Sequence, residues 1–119
     1  MSIKLLIIDD DPSITGMLEL VLPTKGFEVF STNAGEDGVE ATQTIDPDVV
    51  VLDLMMPDLD GWKLCKKIRS FSEVPILVLS AVIEARSMTK AMEQGANDYL
   101  TKPVPLDTLV TRIKHLAEQ

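Results

Sequence analysis

Polar side chains that could take part in binding or catalysis stand at the ends of separate apolar runs in this sequence. Five side chains share this placement: Asp9, Asp10, Asp53, Ser80 and Lys102. If the runs are parallel strands of one sheet, these groups gather at its carboxyl edge, where open α/β sheets build their sites. No fold needs three carboxylates, a hydroxyl and an ammonium in one cleft for its stability. Such a cleft suits a divalent cation and a phosphoryl group.

The length and composition limit the number of domains and the classes of partner that this chain could have. The chain has 119 residues, of which 45% are hydrophobic and 25% charged, so one domain with a real core is expected. The net charge of −8 argues against this domain binding nucleic acid or an anionic membrane by itself. The single cysteine, Cys65, fits a reducing compartment, and no apolar stretch could span a bilayer. We therefore expect a cytoplasmic protein.

Apolar runs alternate with helical periodicity along the chain. Residues 4–8, 49–52 and 76–79 are apolar runs rich in Ile, Leu and Val, typical of parallel strands covered on both faces. Residues 27–30 alternate in part and indicate an edge strand. Amphipathic helical patterns lie between the strands and after the last one, with weaker patterns at about residues 35–45 and 84–94. The sequence predicts an α/β fold with five parallel strands and five helices.

Residues that punctuate helices agree with this interpretation. Asp11 and Pro12 suit the cap and the first turn of the first helix. Gly26 and Gly95 suit the ends of the first and fourth helices. Pro23 lacks a backbone donor, so it should shorten or kink the first helix.

The three carboxylates of Asp9, Asp10 and Asp53 would lie within a few ångströms of one another. Two like charges about 4 Å apart repel by about 1 kcal/mol in water, and by several times that near a protein surface. The cluster therefore favours a hard divalent cation such as Mg²⁺. Helix capping explains the acidic run 9–11 equally well when that run is taken alone. It does not explain Asp53 after a second apolar strand.

Asp53 is the candidate nucleophile of this cleft. A carboxylate can accept a phosphoryl group and form an aspartyl phosphate. Lys102 supplies a mobile charge for a phosphate oxygen, and Ser80 supplies a hydroxyl for another. Taken singly, Lys102 is better explained as a surface lysine and Ser80 as a capping hydroxyl. The ordered set favours phosphoryl chemistry.

Four segments carry a resemblance to a known family: residues 8–10, 53–61, 80–81 and 98–103. With these motifs the chain resembles a response-regulator receiver domain over nearly its whole length. The resemblance implies a flavodoxin-like, doubly wound sheet of five parallel strands in the order 2-1-3-4-5, with five helices. It also implies one receiver domain over residues 1–119, which can be the N-terminal part of a longer regulator.

The resemblance assigns roles to individual residues. Asp53 matches the phosphoacceptor. Asp10, Asp53 and the main-chain carbonyl of Met55 match the Mg²⁺ ligands, and Asp9 helps through water. Lys102 matches the phosphate-binding lysine, with a cis peptide bond to Pro103.

Ser80 and Tyr99 match the switch pair of the family. Phosphorylation adds charge and acceptor oxygens that Ser80 can approach, after which Tyr99 can swing inward. The readout would be the face formed by the fourth helix, the fifth strand and the fifth helix. The implied partners are a sensor histidine kinase or phosphotransfer protein, and an output domain or downstream protein. The only reactions implied are the domain's own phosphorylation and slow autodephosphorylation.

A narrower resemblance concerns regulators with winged-helix outputs. Asp98 and Arg112 match two members of the charged network in their dimers. Met88 and Thr108 stand where that subgroup has a basic and an acidic residue. A phosphorylation-dependent homodimer therefore stays open.

Two alternatives come from other functional classes. One is an aspartate-nucleophile phosphatase of the haloacid dehalogenase kind, which needs a second acid two residues beyond the nucleophile. That position is Met55, which counts against turnover. The other is a receiver-like module that binds partners without phosphorylation. Such modules usually lose an acid or the lysine, whereas this chain has them all.

Overall fold

The fold is built on one sheet of five parallel strands. The computed structural model describes residues 2–54, 61–81 and 85–118, with only the backbone of residues 85–87. The strands are β1 (Ile3–Ile8), β2 (Phe27–Thr32), β3 (Val49–Asp53), β4 (Ile76–Ser80) and β5 (Asp98–Thr101). Their order across the sheet is β2-β1-β3-β4-β5. This confirms the predicted flavodoxin-like topology, with β2 at an edge.

Five α-helices follow the strands in the predicted alternation. They are α1 (Pro12–Val21), α2 (Gly35–Ile45), α3 (Gly61–Arg69), α4 (Ala85–Glu93) and α5 (Leu106–Ala117). The effect expected of Pro23 is confirmed, because α1 stops at Val21 and a 3-10 turn (Leu22–Lys25) replaces its continuation. Gly26 then reverses the chain at φ 96°. None of the described helices is both long and apolar enough to cross a membrane.

The sheet is covered on both faces, which explains its continuous apolar runs. On one face Leu6 and Ile8 belong to a core cluster with residues of α3 and α4. On the other face Leu5 and Ile7 pack with residues of α1 and α5. All five residues of β3, and all five of β4, are buried. Parallel pairing of strands with this burial pattern requires a helix layer on each side.

Two residues of α3 differ in how deeply they are buried. Cys65 of α3 lies in the core at 1% exposure. Burial raises the pKa of its thiol to about 11, so it stays a neutral core side chain at physiological pH. Trp62 is half-buried and packs against the same core cluster as Cys65.

The strand register brings the predicted site residues to one edge. Ile8 lies opposite Leu52, and Ser80 lies opposite Thr101. The residues that follow or end these strands therefore face the same cleft, which is where the chemistry was expected.

Candidate functional site

The three predicted carboxylates do meet at the carboxyl edge of the sheet. Asp9, Asp10 and Asp53 each offer an oxygen, and these oxygens lie within 4.8 Å of one another. Asp9 is 2% exposed and Asp53 is 6% exposed, whereas Asp10 is partly exposed. Burial weakens screening by water, so the mutual repulsion of these charges is stronger here than on an open surface.

Lys102 offsets part of this negative charge. Its Nζ atom lies 3.3 Å from Asp9 Oδ2 and 3.5 Å from Asp53 Oδ2. Partial burial works to lower the pKa of Lys102, but the two carboxylates outweigh it and the pKa is raised above its ordinary value. Lys102 is therefore a firmly charged ammonium. Among the described residues, no cation lies within 4 Å of the Asp10 carboxylate.

The three acids in the turn between β1 and α1 have two different functions. Asp11 caps α1, because its carboxylate accepts hydrogen bonds from the Ser13 amide at 3.0 Å and the Ser13 hydroxyl at 2.7 Å. These bonds lower the pKa of Asp11. The Asp11 amide in turn donates to Asp9 Oδ1 at 3.0 Å. Capping thus accounts for Asp11, and leaves Asp9 and Asp10 for the cleft.

A close backbone approach joins Leu54, the residue after Asp53, to Gly61 at the start of α3. The Gly61 amide donates to the Leu54 carbonyl at 3.1 Å. A Cβ atom on Gly61 would lie 2.6 Å from Leu54 Cα, so only glycine fits. The start of α3 is therefore fixed beside the end of β3. Met55, whose carbonyl is an expected ligand, lies outside the described residues.

Ser80 and Tyr99 lie on neighbouring strands beneath the cleft. Ser80 is fully buried and Tyr99 is 7% exposed, within the same core cluster as Ala91 of α4. The Lys102 amide donates to the Ser80 carbonyl at 2.7 Å, which joins the ends of β4 and β5. The Lys102–Pro103 peptide bond is cis, as the resemblance implied. The Tyr99 ring thus occupies the inward position in this structure.

Asn33 also contacts the site, and the sequence analysis did not find it. Its side-chain amide nitrogen donates to the Asp9 main-chain carbonyl at 2.8 Å and to Thr15 Oγ1 at 3.0 Å. An amide side chain just after a strand was the only signal, and it is shared by many loops.

The donor set fits a hard divalent cation. Carboxylate oxygens are the ligands that Mg²⁺ prefers, and it usually takes one or two of them together with water and phosphate oxygens. The cluster of Asp9, Asp10 and Asp53 supplies such oxygens within 4.8 Å. The residues present are therefore able to bind a metal.

Comparison with known proteins agrees with this arrangement. The family model of the response regulator receiver domain matches residues 5–114. The chain belongs to this family. A solved two-component response regulator from Clostridium difficile superposes on this receiver domain with a TM-score of 0.94 at 31% identity, covering 99% of this chain and 98% of that one.

Two sequence relatives are full-length regulators. The probable transcriptional regulator ycf27 of Porphyridium aerugineum is 40% identical over 93% of this chain and 46% of its own length. The DNA-binding response regulator MtrA of Mycolicibacterium smegmatis is 37% identical over 93% of this chain and 49% of its own length. This receiver domain spans about half the length of the curated relatives it matches.

Proposed function

We propose that this receiver domain accepts a phosphoryl group on Asp53 and thereby acts as a switch in two-component signalling. The observation that carries the proposal is the position of Lys102 Nζ, 3.5 Å from Asp53 Oδ2 and beside a cluster of three acids, two of them buried. The donor is the phosphohistidine of a sensor histidine kinase or phosphotransfer protein. An Asp53 oxygen forms a bond to phosphorus, the P–N bond breaks, and the imidazole leaves and takes up a proton.

We assign the metal site to this same cleft. Asp10, Asp53 and the main-chain carbonyl of Met55 are the proposed Mg²⁺ ligands, with Asp9 contributing through water. When bound, the ion supplies positive charge for the phosphoryl oxygens and lowers the repulsion within the cleft. The partly exposed Asp10, which contacts no described cation, is the carboxylate with most to gain from it.

Two side chains are proposed to hold the transferred group. Lys102 is a charged ammonium already within 3.5 Å of Asp53, so its flexible side chain can bind an oxygen of the phosphoryl group. Ser80 lies fully buried at the end of β4 and can donate its hydroxyl to a second oxygen. Both contacts strengthen as negative charge accumulates on the phosphoryl group.

The proposed readout is the face formed by α4, β5 and α5. Ser80 and Tyr99 link it to the cleft, because Ser80 ends the strand next to β5 and Tyr99 packs in the cluster that includes Ala91 of α4. Movement of Ser80 toward a phosphoryl group would favour the inward Tyr99 ring and reposition α4 above it. This is a two-state element biased by a local change of charge.

The docking surface for the phosphoryl donor is proposed to be α1 and the adjoining start of α5. Met17 and Leu20 on α1 are 52% and 78% exposed. A largely apolar groove of about 410 Å³ runs from Met17 to Lys102 and Pro103. A donor helix seated there would present its phosphohistidine beside Lys102.

The output is proposed to lie outside this domain. Two relatives are named as regulators of transcription or as DNA-binding, and both are about twice as long as the matched region. Residues 1–119 would then be the N-terminal receiver domain of a longer cytoplasmic regulator, with DNA contacts made by the output domain. This acidic receiver domain itself would bind neither nucleic acid nor membrane.

A phosphorylation-dependent homodimer through the α4-β5-α5 face is part of the proposal. Asp98 and Arg112 already form an ion pair of 2.6 Å within one chain, and Met88 of α4 is 46% exposed. Apolar contacts of Met88 would replace the charged contact of related dimers. A binding module that works without phosphorylation is the alternative function.

Labelling with a small phosphoryl donor tests the proposal. We expect acetyl phosphate with Mg²⁺ to add one phosphoryl group, seen by intact-mass measurement, and we expect none in EDTA. Asp53→Asn should prevent the addition. Asp46→Asn is the matched control, because Asp46 has a φ of 53° that asparagine tolerates and it lies in the turn after α2. Unchanged labelling of Asp53→Asn would remove Asp53 from its role, and no labelling of the parent would favour the phosphorylation-independent module.

A further inference from the structure

Asn33 holds the backbone of Asp9 from the neighbouring strand end. The Asp9 amide donates to the Thr32 carbonyl at 3.1 Å. The Asp9 carbonyl accepts from the Asn33 side-chain nitrogen at 2.8 Å. Both polar main-chain groups of Asp9 are therefore bound by consecutive residues at the end of β2. The Asn33 side chain extends the β1–β2 ladder by one hydrogen bond beyond the last paired residues, Ile8 and Thr32.

The chemistry of the contacts fixes the orientation of the Asn33 amide. A main-chain carbonyl can only accept a hydrogen bond, so the nitrogen of the amide must face Asp9. The same nitrogen lies 3.0 Å from Thr15 Oγ1. The Thr15 hydroxyl donates back to the Pro12 carbonyl at 3.3 Å and is therefore free to accept from Asn33. Asn33 thus joins the end of β1 to the first turns of α1.

These bonds lie on either side of the proposed metal ligand Asp10. On its N-terminal side, Asp9 is fixed by Thr32 and Asn33. On its C-terminal side, Asp11 is fixed by its bond to Asp9 Oδ1 and by its cap on α1. Asp10 is partly exposed, so its position depends on its neighbours more than on packing. Without the Asn33 side chain, the turn would keep the cap on α1 and the bond from the Asp9 amide to Thr32, but the Asp9 carbonyl would lose its bond to the residue after β2.

We propose that Asn33 is a positioning residue for the Mg²⁺ site, setting the affinity of the site by holding the Asp9–Asp11 turn against β2. This inference rests on the proposed function of the cleft as a metal-dependent phosphoacceptor. Residues that orient metal ligands typically change metal affinity by about 10- to 100-fold when removed. Asn33 acts through the main chain rather than on a ligand atom, so the lower end of that range applies.

Calorimetric titration of the receiver domain with MgCl₂ tests the inference. Asn33→Ala should raise the dissociation constant for Mg²⁺ by about tenfold. Ser31→Ala is the matched control, because Ser31 lies on the same strand and donates to Glu19 of α1 without touching the acidic turn. We expect Ser31→Ala to bind Mg²⁺ like the parent. Equal weakening in both variants would show a general effect of loosening β2 from α1 and would overturn the inference.

Two further readouts separate positioning from a loss of folding. In EDTA, amide exchange of Asp9 and Asp11, whose amides are both hydrogen-bonded here, should be faster in Asn33→Ala, while amides of β3 and β4 keep their protection. The Mg²⁺-dependent gain in the free energy of unfolding should also be smaller in this variant. If the parent binds Mg²⁺ and the dissociation constant of Asn33→Ala is within a factor of two of the parent's, only the positioning role is refuted. If the parent binds no Mg²⁺, the proposed function and this inference both fall.

Discussion

The ammonium of Lys102 lies 3.5 Å from the Asp53 carboxylate, although 49 positions separate the two residues in the sequence. The contact exists because β3 and β5 end at the same edge of the sheet, on either side of β4. Lys102 also reaches Asp9 at 3.3 Å, so a single cation offsets two buried charges. Lys102 thereby offsets part of the repulsion among the acids of the cleft.

Removing this cation should destabilise the metal-free domain. Lys102→Met leaves the buried carboxylates of Asp9 and Asp53 facing each other, so we expect the free energy of unfolding in EDTA at pH 7 to fall by about 1–3 kcal/mol. Lys67→Met is the control, because Lys67 is exposed on α3 and forms none of the described ion pairs. Urea unfolding curves measure both. A loss in the control as large as that in Lys102→Met would contradict the pairing argument.

The same pair predicts a dependence on alkaline pH. The pKa of Lys102 is raised in the folded domain above its ordinary value of 10.5. A raised pKa means that the stabilising contribution is complete below the unfolded value and is lost as the pH rises through the folded value. The difference in stability between the parent and Lys102→Met should therefore be constant from pH 8 to about 10 and shrink above 10.5. A difference that grows with pH would contradict this sign.

Neutralising Asp10 should have the opposite effect on the metal-free domain. Asp10 belongs to the acidic cluster but contacts no described cation within 4 Å. Asp10→Asn should therefore raise stability in EDTA by about 1 kcal/mol, by relief of like-charge repulsion. The same substitution should weaken Mg²⁺ binding. At saturating Mg²⁺ the parent should therefore be more stable than Asp10→Asn, the reverse of their order in EDTA. Unfolding curves in EDTA and in Mg²⁺ measure both effects. A variant less stable than the parent in EDTA would contradict the argument from like-charge repulsion.

Adding one methyl group at Gly61, the first residue of α3, should lower the stability of the domain. A Cβ atom at Gly61 would lie 2.6 Å from Leu54 Cα, and backbone atoms there cannot move aside easily. We expect Gly61→Ala to lower the free energy of unfolding by about 1–3 kcal/mol. Gly16→Ala is the control, because nothing lies within 4 Å of its Cβ position inside α1. That variant should instead gain about 0.5–1 kcal/mol. A stable Gly61→Ala domain would show that the close approach to Leu54 is not required.

The sequence predicted the strands and the members of the acidic cluster because those signals are local. Continuous apolar runs identify buried strands, and their ends identify the edge where Asp9, Asp10 and Asp53 meet. Pro23 marked the end of α1 for an equally local reason, its missing backbone donor. The role of Lys102 came from its place in the ordered set of polar residues and was then matched by the resemblance, because a lysine alone carries no signal of its contacts.

The contacts that sequence reasoning missed are made by side chains with distant main-chain groups. Asn33 binds the carbonyl of Asp9, 24 positions away. Arg69 donates to the Gly95 carbonyl at 2.9 Å and to Asn97 Oδ1 at 2.6 Å, which ties the end of α3 to the turn before β5. Partial burial lowers the pKa of Arg69. Such bonds depend on how helices sit on the sheet, and hydrophobic periodicity does not fix that.

Trp62 should report on the cleft by its fluorescence. It follows Gly61, whose amide binds the Leu54 carbonyl next to Asp53. The ring is half-buried, and the Lys90 ammonium lies 4.0 Å from its centroid. Binding of Mg²⁺ or a beryllofluoride phosphate mimic changes the charge and hydration near this ring, so we expect a saturable change in emission. Lys90→Met should alter the starting emission but keep the titration, because Lys90 forms no described ion pair with the cluster.

The decisive comparison for Trp62 is with Asp10→Asn. If the emission change reports the proposed site, this variant should lose the Mg²⁺ titration or shift it to much higher concentration, since it lacks one of the clustered carboxylates. A titration unchanged by Asp10→Asn would place the ion elsewhere on this acidic domain. If the Trp62 emission does not change, calorimetry can still detect Mg²⁺ binding, because the heat of binding does not depend on where the ring points. If Mg²⁺ binds neither optically nor calorimetrically at millimolar concentration, phosphoryl transfer to Asp53 loses the charge that it needs, and the phosphoacceptor proposal fails.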